Sequence, residues 1–393
     1  MDISASEFIK RAGTTAEHFG FAPLEHYAKD PLCKNCETKL RSQASAAERK
    51  QDALHGLLTG GTLGYTEHKL HGLEGPVLFY TLEQVPRSGD VALSLQIFGV
   101  PKSIAEAILI QTTRSLVKEL GYQNHLVRIN SMGDRDSITR YARELGNYLK
   151  KRLDDMPASA RELMKDHVFD ALQNLIEKEH DLAYRSPNPM EYLSDPSRKH
   201  FRDIVEFLDM SEAPYEIDPT LIGHHACYSD ALFAIDLRDD DDVPLAEEPF
   251  YIRGGRYNSF TEKHLPNAAP AAGAIVVMRN TQAPKRSPKP VLPSKDGVYI
   301  VQLGFGPKIK SLLLVDELRQ AGVAVQQNLA VDSLSAQLRD AERTGARYAV
   351  IMGQKEFVDG TVILRDMQGR TQEAIPLDQI TSRLKRFNAV EVA

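Results

Sequence analysis

The most constraining part of this chain is its C-terminal segment. After a proline- and lysine-rich stretch at 281–294, runs with the apolar period of a strand or of a helix take turns, at 298–303, 308–321, 323–328, 333–344, 348–352 and 361–366. A strand buries alternate side chains, whereas a helix buries every third or fourth, so neither pattern can stand in for the other. Alternation at this segment length predicts a small α/β domain. The stretch before it, with Lys285, Arg286 and Lys289 among its prolines, carries no apolar period and reads as a linker. The chain therefore divides into 1–280, a linker at 281–295 and a domain at 296–393.

The longer first part carries a different pattern. Phe8, Ala12, Ala16 and Phe19 give residues 5–20 a helical period. The region 33–50 is polar and patternless and reads as loop with a short helix. Two strand-like runs, 76–85 and 91–100, flank the turn sequence Pro86-Arg-Ser-Gly-Asp90. Pro101 suits the first position of a helix reaching Leu120, which Gly121 ends. A strand at 125–130 precedes an amphipathic helix at 134–150 with Ile138, Tyr141, Leu145 and Leu149 on one face. The region 144–212 is mostly helical and highly charged, as an insertion would be. Strands return at 231–237, 250–257 and 271–278, the first two flanking the acidic run Asp239–Asp242.

Charge and composition narrow the function classes. The net charge is −6, so no global basic field draws nucleic acid, and any RNA contact has to come from local patches. No apolar run is long enough to span a bilayer. The first residues lack the apolar core of a signal peptide, and 3 cysteines do not make a disulfide framework. The cytoplasm is the expected location.

Several segments resemble the histidyl-tRNA synthetases, class II enzymes with a C-terminal anticodon-binding domain. In the C-terminal part these are Gly297-Val-Tyr-Ile-Val-Gln-Leu-Gly, Ala321-Gly-Val-Ala-Val, Ser333-Leu-Ser-Ala-Gln-Leu-Arg-Asp-Ala, Gly345-Ala-Arg-Tyr-Ala-Val-Ile-Met-Gly and Gly360-Thr-Val-Ile-Leu-Arg-Asp. Upstream, Ile129-Asn-Ser-Met-Gly-Asp, Asn188-Pro-Met, Asp195-Pro, Pro214-Tyr-Glu-Ile-Asp-Pro and Gly254-Gly-Arg-Tyr-Asn fit the same family. The likeness runs over about 120–390 and more weakly over 65–100. It implies an α+β architecture: a class II synthetase-like antiparallel sheet domain with a helical insertion, followed by an α/β anticodon-binding-like domain. It also implies a homodimer and tRNA as partner.

The same resemblance exposes losses. Active members carry an arginine a few residues after a Gly-Pro-Val; here Gly75-Pro-Val-Leu is followed by Phe79. The following loop should bring further ATP-binding groups, but only Arg87 is available. Where the family's Arg-Gly-Leu-Asp-Tyr-Tyr run begins, this chain has Gly223, then His224, His225, Ala226, Cys227 and Tyr228. The closing Gly-Leu-Glu-Arg of motif 3 is matched by Arg279-Asn280, so either Asn280 replaces the arginine or Arg279 has taken its role one residue early. The motif 1 proline and the Arg-Pro-Glu element have no recognisable counterparts. Activating an amino acid requires charge-assisted donors around phosphate oxygens, and losing one such donor typically lowers the rate roughly 100–1,000-fold. Phe79, Gly223 and Asn280 are thus degenerate catalytic positions. The expectation is an RNA-binding protein without aminoacylation activity and without a cofactor. The alternatives are a diverged histidine–tRNA ligase using ATP and Mg, a regulatory subunit of a histidine-pathway enzyme, and a structural scaffold.

Other motifs carry weaker signals. Cys33-Lys-Asn-Cys36 has zinc-knuckle spacing, but a structural zinc needs four ligands and no second pair exists, although His26 or His55 could contribute. His224 and His225 are adjacent and would point to opposite faces of a strand. The acidic run Asp239–Asp242 reads as a solvated turn. Tyr228, Gly254, Gly255, Arg256 and Tyr257 form a possible residual ligand pocket, with sheet curvature as the alternative reason for the glycines. Ser333, Gln337, Arg339 and Arg347 are the candidate RNA contacts, with a solvated helix face as the alternative.

Overall fold

In a computed structural model, the protein is described over residues 3–27, 53–73, 75–84, 90–223, 227–246, 248–265, 269–279, 297–329 and 331–391. Two sheets organise it. The first has eight strands in the order β1-β2-β3-β8-β7-β6-β4-β5. These are β1 (Ala22–Pro23), β2 (Val77–Gln84), β3 (Val91–Phe98), β4 (His125–Gly133), β5 (Tyr215–Ile217), β6 (Ser229–Leu237), β7 (Phe250–Arg256) and β8 (Ala271–Met278). The six inner strands pair antiparallel, and only the short outer strands, β1 and β5, pair parallel. The fold is therefore the expected α+β class with an antiparallel-rich sheet.

Helices α1 (Ala5–His18) and α3 (Ile104–Glu119) pack on one face of this sheet against Leu93, Leu95 and Ile97. The Ser4 side chain caps α1 by accepting from the Glu7 amide at 3.2 Å, the role its residue type favours. Helix α2 (Ala53–Glu67) meets β3 and β8, where Tyr65 and Phe98 belong to the apolar cluster of the other face. The sequence period did not disclose α2, because its glycines weaken the helical signal. Close packing accounts for two of them: a Cβ at Gly61 would lie 2.3 Å from the Gln96 side chain and one at Gly64 2.7 Å from Leu24, whereas one at Gly60 would meet nothing within 4 Å. Helix α3 starts three residues after Pro101 rather than at it, and Gly121, with φ of 99°, ends it in the left-handed region.

Helices α4 (Arg135–Lys150), α5 (Ala158–Asp166), α6 (Val168–Glu177), α7 (Asp181–Tyr184) and α8 (Asp195–Met210) follow β4. Tyr141, Leu145 and Leu149 of α4 join Phe169 and Leu172 of α6 in a separate apolar cluster. The turn at Asp239 is held by its own carboxylate, which accepts from the Asp241 and Val243 amides at 3.0 and 2.9 Å.

The second sheet has five strands in the order β10-β9-β11-β12-β13: β9 (Val298–Gln302), β10 (Val325–Gln327), β11 (Tyr348–Met352), β12 (Thr361–Asp366) and β13 (Gln372–Pro376). β10, β9 and β11 are parallel, as their helical crossovers require, and β12 and β13 turn antiparallel. Helices α10 (Phe305–Gln320) and α13 (Leu377–Glu391) share one apolar cluster with Ile300 and Val350, whereas α11 (Leu334–Thr344) packs on the opposite face against Tyr299 and Ala349. Two further short helices among the described residues are α9 (Asn258–His264) and α12 (Gln354–Asp359).

Candidate functional site

The strand register puts Phe79, Gln96, Gly273, Gly255 and Leu232 in one row across the face of the large sheet that α1 and α3 leave uncovered. This row holds no charged side chain. Phe79 is fully buried, and its ring lies parallel to that of Phe98 at 5.9 Å. Tyr65 stacks on Phe98 at 4.0 Å, and Tyr257 meets it edge-on at 6.1 Å. Gln96, the polar side chain of the row, is bound by its neighbours. The Tyr257 hydroxyl donates to Gln96 Oε1, and the Gln96 amide donates to Ser94 Oγ at 2.8 Å. Burial pushes the Tyr257 hydroxyl well above its ordinary pKa, so it stays a neutral donor.

Gly223 sits beside this row. A Cβ there would meet the Tyr228 ring at 2.3 Å and the Leu232 side chain at 2.6 Å. Tyr228 and Leu232 therefore fill the space that a longer residue at 223 would need. Cys227 is fully buried, and burial pushes its thiol far up, which makes it an inert packing group. His224, His225, Arg87, Asn280, Cys33 and Cys36 lie outside the described residues. Arg279 is described: it is exposed, and its guanidinium lies 5.5 Å from the centre of the Tyr251 ring, where Arg253 also approaches at 5.3 Å.

The glycine-rich strand divides the group expected as one pocket. A Cβ at Gly254 would lie 2.4 Å from the Phe233 ring, and one at Gly255 would lie 2.6 Å from the Ala231 carbonyl. Neighbouring strand atoms therefore account for both glycines. Arg256 points to the opposite side of the sheet from Tyr257 and is 1% exposed. There it pairs with Glu106 of α3 through two bonds of 2.7 Å and donates to the Val100 and Lys102 carbonyls. His200 of α8 meets the same carboxylate at 2.8 Å. Burial alone would raise the Glu106 pKa, but Arg256 and then His200 outweigh it and hold the carboxyl at about 2. Neither Glu106 nor His200 stands out in the sequence, because a buried ion pair between distant segments leaves no local pattern.

In the C-terminal domain the four candidate contacts separate by environment. Arg339 and Arg347 are exposed, the latter with its guanidinium 5.2 Å from the Tyr348 ring centre. Ser333 caps α11, accepting from the Ala336 amide at 3.4 Å. Gln337 is fully buried. Its Oε1 accepts from the Gln302 amide at 3.1 Å, and its Nε2 donates to the Gln302 and Val331 carbonyls at 2.8 and 2.9 Å. It ties α11 to β9 and offers no edge to a nucleotide.

Residues 298–387, which run from β9 into α13, match the anticodon binding domain family. The histidine–tRNA ligase of Halothermothrix orenii is 26% identical over 334 residues, covering 82% of this chain and 78% of that protein. That of Bacillus velezensis is 25% identical over 314 residues, covering 79% and 73%. The chain is thus similar to histidine–tRNA ligases over about four fifths of its length. A C-terminal domain that matches the anticodon binding domain family follows an antiparallel sheet domain, and the face of that sheet met by α2 carries aromatic rings at the row of Phe79. Among the described residues, no helix is long and apolar enough to cross a membrane.

Proposed function

We propose that this histidyl-tRNA synthetase relative binds tRNA, or an RNA shaped like it, through its C-terminal domain and does not itself activate histidine. The observation that carries this reading is the ring stack at Phe79. A buried phenyl group cannot neutralise phosphate oxygens, and the Gln96 amide of that row is bonded to the neutral Tyr257 phenol. Tyr228 and Leu232 close the space at Gly223 in the same way. The row does not fit the phosphates of ATP. Arg339 and Arg347, exposed on the C-terminal domain, are the proposed phosphate or base contacts, and Ser333 and Gln337 hold the helix that carries Arg339.

The chain is further proposed to work as a homodimer in the cytoplasm, with functional units at 1–280 and 296–393. A second reading is a diverged histidine–tRNA ligase using ATP and Mg. The names of its relatives favour it, as does Arg279 on the same face as Phe79. Histidine-dependent exchange of pyrophosphate into ATP separates the two. The expected result is none; turnover of roughly 1–1,000 per second, the ordinary enzyme range, would establish the ligase.

A further inference from the structure

Helix α10 of the C-terminal domain lies against α3 of the sheet domain, and buried apolar residues of both domains form one continuous cluster. Polar groups close this contact along its length. In the middle, Ser115 Oγ donates to Asp316 Oδ1 at 2.9 Å, with both residues buried. At one end, the Glu119 carboxylate of α3 receives Arg319 of α10 and, at 2.5 Å, the Thr15 hydroxyl of α1. Arg319 is nearly buried there and also holds Asp316 at 2.9 Å. At the other end, Asp332 takes Lys308 of its own domain at 2.7 Å and Lys102, just before α3, at 3.0 Å. Gly20 lies close to the second sheet too: a Cβ there would be 3.3 Å from the Gln327 carbonyl.

We propose that α3 is a built-in seat for the C-terminal domain and that Glu119 is its latch, so that the two domains move and unfold as one body. The arrangement selects one docking geometry. An apolar contact alone tolerates sliding, whereas a half-buried carboxylate shared by groups from α1 and α10 is satisfied in one register and left unpaired in others. The domain is seated by α10, and α11 with its exposed Arg339 lies on the opposite face of the small sheet, clear of the seat. A ligand held on the α11 face would therefore stand at a fixed position relative to the large sheet rather than on a swinging arm.

Calorimetry of the full chain tests the latch. The natural chain should melt in one cooperative step. Glu119→Arg or Arg319→Glu should split it into two, and the double reversal E119R/R319E should restore one. A natural chain that melts in two separated steps, or a double reversal no better than the single ones, would overturn the proposal. Should the reversals fail to fold, Thr15→Val combined with Lys102→Ala loosens both ends without introducing a misplaced charge. Amide exchange over 305–320 should then quicken by about tenfold or more while that of β3 and β8 holds; unchanged exchange over 305–320 would equally overturn it.

Discussion

At the scale of single residues, the contrast between Phe79 and Arg256 shows why side-chain identity alone misleads. Arg256 looks like a surviving site residue, yet it is a buried structural cation. Phe79 looks like a harmless apolar strand residue, yet its buried ring is the feature on which the proposed lack of histidine activation rests. Restoring the charge by Phe79→Arg should not restore chemistry. It would put an unpaired guanidinium into the ring stack and should cost about 3 kcal/mol or more of stability, read as a lower urea midpoint. A second residue-scale expectation concerns His200. Burial alone would lower its pKa, but the Glu106 carboxylate at 2.8 Å more than compensates, so the folded value lies above the ordinary one. A raised folded pKa stabilises fully below about 6.5 and loses its contribution as pH climbs through the folded value. The natural chain should thus lose stability from this group over that climb. His200→Gln should flatten that part of the stability curve, and an unchanged slope would remove His200 from the account.

At the scale of elements, the periods of strands and long helices were legible because each buries one side against a core. The alternation at 298–366 reappears as β9 to β12, and the run at 134–150 as α4. Elements without a one-sided period were not legible. Helix α2 is rich in glycine, with Gly61 close against Gln96 and Gly64 against Leu24, and β5 is three residues held at an edge. The candidate site was legible only where the family pattern supplied it. Gln337 illustrates the limit: its place in the sequence pattern suits an RNA contact, while its amide is saturated by backbone groups of β9 and the loop at Val331. Gln337→Ala should therefore destabilise the C-terminal domain by about 2–4 kcal/mol, measured as a shift in thermal midpoint. Arg339→Glu should leave stability nearly unchanged and weaken RNA binding several-fold.

At the scale of the molecule, the chain pairs an antiparallel sheet domain whose α2 face is closed by aromatic packing with a domain of the anticodon-binding kind whose α11 carries the exposed Arg339. Light scattering at micromolar concentration should report about twice the chain mass of 43.8 kDa; a single chain's mass would exclude the dimer. The charge distribution sets the expected style of binding. The helical segment at 151–212 carries 14 acidic against 9 basic side chains and repels phosphate, leaving the C-terminal domain as the favoured contact. With few phosphate contacts and a net charge of −6, affinity should be modest and fall only gently with salt.

The most direct test of the central claim is a binding titration of the full chain against intact tRNA and against the same tRNA with its anticodon loop altered. Unpaired bases are read by edge hydrogen bonds and stacking, so a reader of that loop should bind the intact RNA several-fold more tightly and lose the preference in Arg339→Glu. Equal affinity for the two RNAs, or none for either, would contradict an RNA-reading role for the anticodon-binding domain.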